Sequence, residues 1–192
     1  MKITGYRTLS WKYDRGRRLG DANGVTADGI SNASVLFLET DAGITGIANS
    51  APASIARMFP AIEGEDPRGA VGLWKKMSDV GFKTGVEGET FAAMCALDAA
   101  MWDIKAKAAG EPLWRMLGAS EPRVKGYASG LDMGLTDDEL AAFYTEFADL
   151  GFDAGKLKVG LDIDADIRRM GIVNDILKRN AKRPFLMIDS NE

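Results

Sequence analysis

Histidine is absent from this chain of 192 residues, and cysteine occurs once, at position 95. Without histidine no Ser-His or Cys-His nucleophile pair and no imidazole metal ligand can form. A lone Cys95 leaves no internal disulfide and no thiolate zinc cluster. Any base must therefore be Lys, Asp, Glu or Tyr, and any metal must take oxygen ligands. Also missing is an apolar run of the roughly 20 residues that a membrane-spanning helix needs. The opening Met1-Lys2-Ile3-Thr4 lacks the basic end and apolar core of a secretory signal. Positive charge is not in excess: 24 Lys and Arg against 28 Asp and Glu give a net charge of −4. Bulk electrostatics then favours neither nucleic acid nor an anionic membrane. These absences predict a cytoplasmic protein. What remains, 46% hydrophobic and 27% charged, is the composition of a globular chain of one or two domains.

Along the chain, β-favouring residues predict a strand over 2–13. The stretch 14–32, with Gly16, Gly20, Gly24 and Gly29, reads as a mobile loop. Residues 34–40 and 44–48, joined at Asp41-Ala42-Gly43, read as two antiparallel strands. A short helix is expected near 51–58, and another from Asp66-Pro67 through Trp74 and Met77. The spacing of Ala93, Leu97, Ala100, Met101 and Ile104 predicts a helix over 89–109, capped by Thr90 and stopped by Gly110. After residue 122 the rhythm changes to strand 124–129, helix 137–150 behind a Thr136–Glu139 capping box, strand 154–159, helix 165–179 and strand 184–189. Strand starts recurring roughly every thirty residues with helices between are the signature of a parallel sheet. Two domains are expected, 1–122 and 123–192.

Parallel sheets bind ligands at the carboxyl ends of their strands. Side chains alternate along a strand, so Lys156 and Lys158 should point the same way, and by the same rule Asp189 and Asn191 should share a face at the end of the next strand. Two amines, a carboxylate and an amide would gather there; a solvated edge strand is the bland alternative. A closed eight-stranded barrel needs about 250 residues, so three such strands predict that the sequence is part of a longer protein.

The run Ala93-Met94-Cys95-Ala96-Leu97-Asp98-Ala99-Ala100-Met101-Trp102-Asp103-Ile104-Lys105-Ala106-Lys107, with Gly110, Pro112-Leu113 and Met116-Leu117-Gly118, resembles the signature helix of the mandelate racemase/muconate lactonizing enzyme family of the enolase superfamily. Lys156-x-Lys158 and Asp189-x-Asn191 follow in that family's order. The resemblance implies an α/β chain with an α+β cap: an enolase-like N-terminal capping domain, then the first three strands of a (β/α) TIM-like barrel. The loops at 14–32 and near 49–55 would close over the substrate. It also implies proton abstraction next to a carboxylate, with Mg²⁺ holding the enediolate, a chemistry for which this superfamily is the standing example. By similarity Lys158 is the base and Lys156 a second catalytic amine that also binds the substrate carboxylate. Asp189 is the first of three Mg²⁺ ligands and Asn191 a polar, substrate-side group. Lys156 and Mg²⁺ would lower the Lys158 pKa by like-charge repulsion. Glu192 stands too close to Asp189 to be another ligand; the missing ligands and the opposing acid or base would lie beyond it. The implied partner is a small carboxylic acid, and the implied assembly a homo-oligomer.

The reading favoured is a Mg²⁺-dependent acid-sugar dehydratase. A racemase, epimerase or cycloisomerase of the same family comes next, and a non-catalytic half-barrel last. Trp74, Trp102 and Trp114 are expected in the core and Cys95 buried. Asp98 and Asp103 are expected as caps or salt-bridge partners, while Arg15, Arg17 and Arg18 could meet an anionic substrate or simply be solvated.

Overall fold

The computed structural model describes residues 1–83 and 85–191; Glu192 lies outside them. The chain forms two compact units, one of Met1–Tyr13 with Asn32–Pro122, the other of Asp14–Ser31 with Arg123–Glu192.

In the first unit, strands β1 (Ile3–Asp14), β4 (Ile30–Thr40) and β5 (Gly46–Ala48) form one sheet in the order β1-β4-β5. The antiparallel β4–β5 register pairs Phe37 with Ile47. Both β4 and β5 differ from expectation at their starts: β4 begins four residues early, and β5 keeps only three residues. Helices α1 (Ile55–Met58), α2 (Ala70–Gly81), α3 (Gly88–Ala109) and α4 (Leu113–Met116) follow. Helix α3 starts at Gly88, two residues ahead of Thr90, which sits inside it rather than at its cap. It ends where Gly110 turns left-handed, at φ 64°, a conformation that costs glycine nothing. Its Ala93, Leu97, Ala100, Met101 and Ile104 are buried against Leu36, Leu38, Ile55 and Met77.

A carboxylate and an amine of α3 secure β5: Asp103 accepts from the Ile47 N–H at 2.8 Å, while Lys107 reaches both Asp103 and the Thr45 carbonyl. Asp98, by contrast, forms no salt bridge among the described residues. It is half-buried beside Val71, Trp74 and Trp102, and burial pushes its carboxyl up. Cys95 is exposed, not buried, because positions 91, 95 and 99 form the outer stripe of α3. The three helical tryptophans are half-buried. Gly46 is where β5 presses closest to α3: a β-carbon there would collide with the Ala100 carbonyl oxygen. Gly46→Ala is therefore expected to destabilise this unit by about 1–3 kcal/mol. Urea unfolding followed by tryptophan fluorescence checks it; an unchanged midpoint would show that β5 can retreat freely.

In the second unit, β6 (Ala154–Lys158) and β7 (Phe185–Asp189) run parallel, with Lys158 opposite Asp189. Helices α5 (Asp137–Asp149) and α6 (Ile163–Leu177) pack on the face carrying Leu157 and Val159, burying Leu140, Tyr144, Val173 and Leu177. Thr136 and Glu139 exchange the expected capping-box hydrogen bonds. The expected strand 124–129 is reduced to one bridge, Ala128 to Gly155, because glycines at 126 and 130 flank the paired residue and weaken pairing.

The stretch 14–32, expected as a mobile loop, contains a hairpin of β2 (Gly20–Asp21) and β3 (Gly24–Val25). It is held to residues 130–134. The Gly20 N–H donates to the Leu131 carbonyl at 2.9 Å, and the Met133 N–H to the Gly20 carbonyl at 3.2 Å. Arg17 grips the carbonyls of Gly130 and Leu131, and Arg18 that of Gly134. These guanidiniums are engaged by the main chain rather than left for an anion.

Candidate functional site

Alternation along β6 sends Lys156 and Lys158 to the face opposite Leu157, and the parallel register brings Asp189 beside them. Lys156 Nζ and Lys158 Nζ each lie 2.9 Å from the same oxygen, Asp189 Oδ2. Lys158 Nζ also donates to Asn191 Oδ1 at 2.6 Å. Asn191 is left-handed, at φ 61°, and its N–H turns back onto Asp189 Oδ1 at 3.1 Å. Asparagine tolerates that conformation better than most residues. All four residues singled out in the sequence thus meet at one strand-end cluster. Lys158 is only 5% exposed, whereas the Lys156 side chain retains 25% and passes over the ring of Tyr127. Gly160, at φ 116°, lets the chain turn away from this mouth; a β-carbon there would come within 3.3 Å of Ser190 and 3.6 Å of Ala22 at the hairpin tip.

The two amines do not face each other bare, because one carboxylate oxygen bridges them. Its hydrogen bond to Lys156 raises that lysine's pKa and favours the ammonium form. In return the hydrogen bonds from Lys156, Lys158 and the Asn191 N–H, in that order, hold the Asp189 carboxyl well below the usual carboxylate range. A depressed folded pKa gives stabilisation that is fully present above the ordinary aspartate value of about 3.9 and fades only as pH falls through the lower folded value. The Asp189 carboxyl carbon resonance should therefore stay flat while exposed aspartates titrate; a midpoint near the ordinary value would show that the lysines do not hold it.

Asp189 is a hard oxygen donor of the kind magnesium prefers. Yet no group of three or more His, Cys, Asp or Glu side chains able to hold a metal occurs among the described residues. By themselves these residues do not fit a magnesium site.

Sequence reading missed Asp132, which is fully buried. It sits in Gly130-Leu131-Asp132-Met133-Gly134, which looks like an ordinary turn. Its signal lay elsewhere: Arg169 falls on the buried stripe of α6 with Val173 and Leu177, and a buried arginine requires a buried anion. Arg169 Nη2 lies 3.2 Å from Asp132 Oδ1.

Residues 24–118 match the model of the mandelate racemase/muconate lactonizing enzyme N-terminal domain. A 3,6-anhydro-alpha-L-galactonate cycloisomerase of Streptomyces coelicolor is 31% identical over 158 residues, covering 79% of this chain and 43% of that protein. A D-mannonate dehydratase of Rhizorhabdus wittichii is 31% identical over 174 residues, covering 84% of this chain and 38% of its own length. The crystal structure of a racemase from Streptomyces coelicolor with bound magnesium superposes with a TM-score of 0.84 at 29% identity, covering 98% of this chain and 55% of that one. Further relatives include dehydratases and an epimerase. The chain spans about half the length of the proteins it matches, or less. No helix among the described residues is long and apolar enough to cross a membrane. From the signature helix to the strand-end lysines, then, the chain belongs to the mandelate racemase/muconate lactonizing enzyme family of the enolase superfamily and carries its N-terminal part.

Proposed function

We propose that this chain forms the α+β cap, residues 1–122, and the first strands of a (β/α) barrel, residues 123–192, of an acid-sugar dehydratase. The observation that carries this is the shared carboxylate: two lysine amines 2.9 Å from one oxygen of Asp189, at the carboxyl ends of adjacent parallel strands. Dehydratases of sugar acids among the relatives support the substrate class.

Lys156, whose ammonium form Asp189 favours, suits the task of holding the substrate carboxylate and not that of a base. Lys158, nearly enclosed, is the base that takes the α-proton. The electron pair of the broken C–H bond is held as an enediolate and then forms the carbon–carbon double bond, as the β-hydroxyl leaves as water with the proton that the Lys158 ammonium returns. The enol product then tautomerises to a 2-keto acid. Asn191 and the hairpin tip at Ala22 border the same mouth. The resemblance would make Asp189 one oxygen ligand of a magnesium ion that supplies positive charge for the developing anion; the described residues alone do not complete that site.

A second reading, epimerisation or cycloisomerisation, is favoured by the cycloisomerase and epimerase relatives. Incubating the full-length protein with aldonic and aldaric acids in deuterated water separates the two. A 2-keto product supports dehydration. α-Deuteration without loss of water selects the second reading. Absence of both across the panel overturns the common step.

A further inference from the structure

On the side of β6 away from β7, main-chain pairing starts and then stops. The Ala128 N–H donates to the Ala154 carbonyl at 2.9 Å, and the Lys156 N–H to the Ala128 carbonyl at 2.8 Å. A continued parallel ladder would next bring a donor to the Lys156 carbonyl and an acceptor to the Lys158 N–H, both from residue 130. Residue 130 is engaged elsewhere. Its carbonyl is held by Arg17, and the chain swings away at Leu131, φ 53°, to bridge with Gly20.

Two side chains take up the abandoned groups. The Tyr144 hydroxyl lies 2.7 Å from the Lys156 carbonyl, and Asp132 Oδ1 accepts from the Lys158 N–H at 3.0 Å. The two substitutes touch one another, Tyr144 Oη being 3.0 Å from Asp132 Oδ2. The single hydroxyl proton serves one of those oxygens at a time. Arg169 fixes the far side of Asp132, reaching Oδ1 at 3.2 Å and the Asp132 carbonyl at 2.9 Å. Gly155 completes the fit: a β-carbon there would come within 3.1 Å of the Tyr144 ring and 3.0 Å of Leu177.

Burying a carboxylate is a costly way to finish a sheet edge, since any main-chain strand would do it with neutral groups. What the side chains add is a location. They brace the two peptide groups that carry the amines, and only those.

We infer that Asp132 and Tyr144 are positioning residues for the lysine pair: they stand in for a missing strand and fix the height of Lys156 and Lys158 at the end of β6, so that both amines reach one carboxylate oxygen. This rests on the lysine pair being the working site, but its test does not.

Amide hydrogen exchange of the isotopically labelled chain reads it directly. In Asp132→Ala the Lys158 amide should lose about tenfold more protection than Val173 and Leu177 in α6, the loss of one hydrogen bond on top of the general loss of stability. Asp132→Asn, whose side-chain oxygen can still accept, should restore it. In Tyr144→Phe, which keeps the ring, the Lys156 carbonyl carbon resonance should shift. An unchanged Lys158 amide in Asp132→Ala, or equal acceleration across the whole second unit, overturns the inference. If Asp132→Ala does not fold, Tyr144→Phe decides alone, and an unmoved Lys156 carbonyl overturns it. In the full-length protein the same Tyr144→Phe change should raise KM several-fold more than it lowers kcat, the pattern of a displaced Lys156. Loss of amide protection without any catalytic role for Lys158 would instead sink the functional reading and leave the brace standing.

Discussion

Lys158→Ala is expected to abolish exchange of the substrate α-proton in the full-length protein, a loss on the order of 10²–10⁴-fold or more for removal of a positioned base. The fold should survive, because Lys156 remains 2.9 Å from Asp189 and keeps its carboxylate paired. Lys158→Met, closer in volume, separates the lost amine from the lost packing: it should be as inactive as the alanine variant and more stable. Deuterium incorporation at the α-carbon, followed by proton resonance, is the measurement. Undiminished incorporation in either variant would remove Lys158 from the chemistry. Lys156→Ala should behave differently, raising KM more than it lowers kcat, since a carboxylate anchor acts in the ground state as well as in the transition state.

Arg169→Leu is expected to be the most damaging single change in the second unit, costing about 3–5 kcal/mol. It strands Asp132, which is 0% exposed, without its cation, and it also frees the carbonyls of Asp132 and Met133. A double variant, Asp132→Leu with Arg169→Leu, should recover much of that loss, because exchanging a buried ion pair for apolar groups is often neutral. Urea unfolding followed by far-ultraviolet circular dichroism reads both. Tryptophan emission would mislead here, since Trp11, Trp74, Trp102 and Trp114 all belong to the first unit. If the double variant is no more stable than the single one, Asp132 and Arg169 do not depend on each other.

These two changes mark what the sequence can and cannot reveal. The lysines, Asp189 and Asn191 were legible because strand alternation and helix-separated repetition are local patterns. So were the Thr136 capping box and the Gly110 stop, each written within a few residues. Cys95 was misjudged because α3 is rich in small apolar residues all round, so composition does not tell its outer stripe from its inner one. Residues 14–32 were misjudged for another reason: their glycines argue locally for freedom, but their partners sit more than a hundred positions away at 130–134. Asp132 was hidden because its donors are scattered over three later elements, at residues 144, 158 and 169. That the register brings one Asp189 oxygen within 2.9 Å of both amines could be read only from the paired strands.

The attachment of residues 14–31 has a further consequence. Arg17 and Arg18 hold neutral carbonyl oxygens rather than acidic side chains, and Arg17 also lies 4.6 Å above the Phe143 ring. Neither arginine forms a salt bridge among the described residues, so concentrated salt should loosen this segment less than it would one held by ion pairs. A lysine at position 17 would not serve as well, because a compact ammonium lacks the flat fork that spans the two successive oxygens of Gly130 and Leu131.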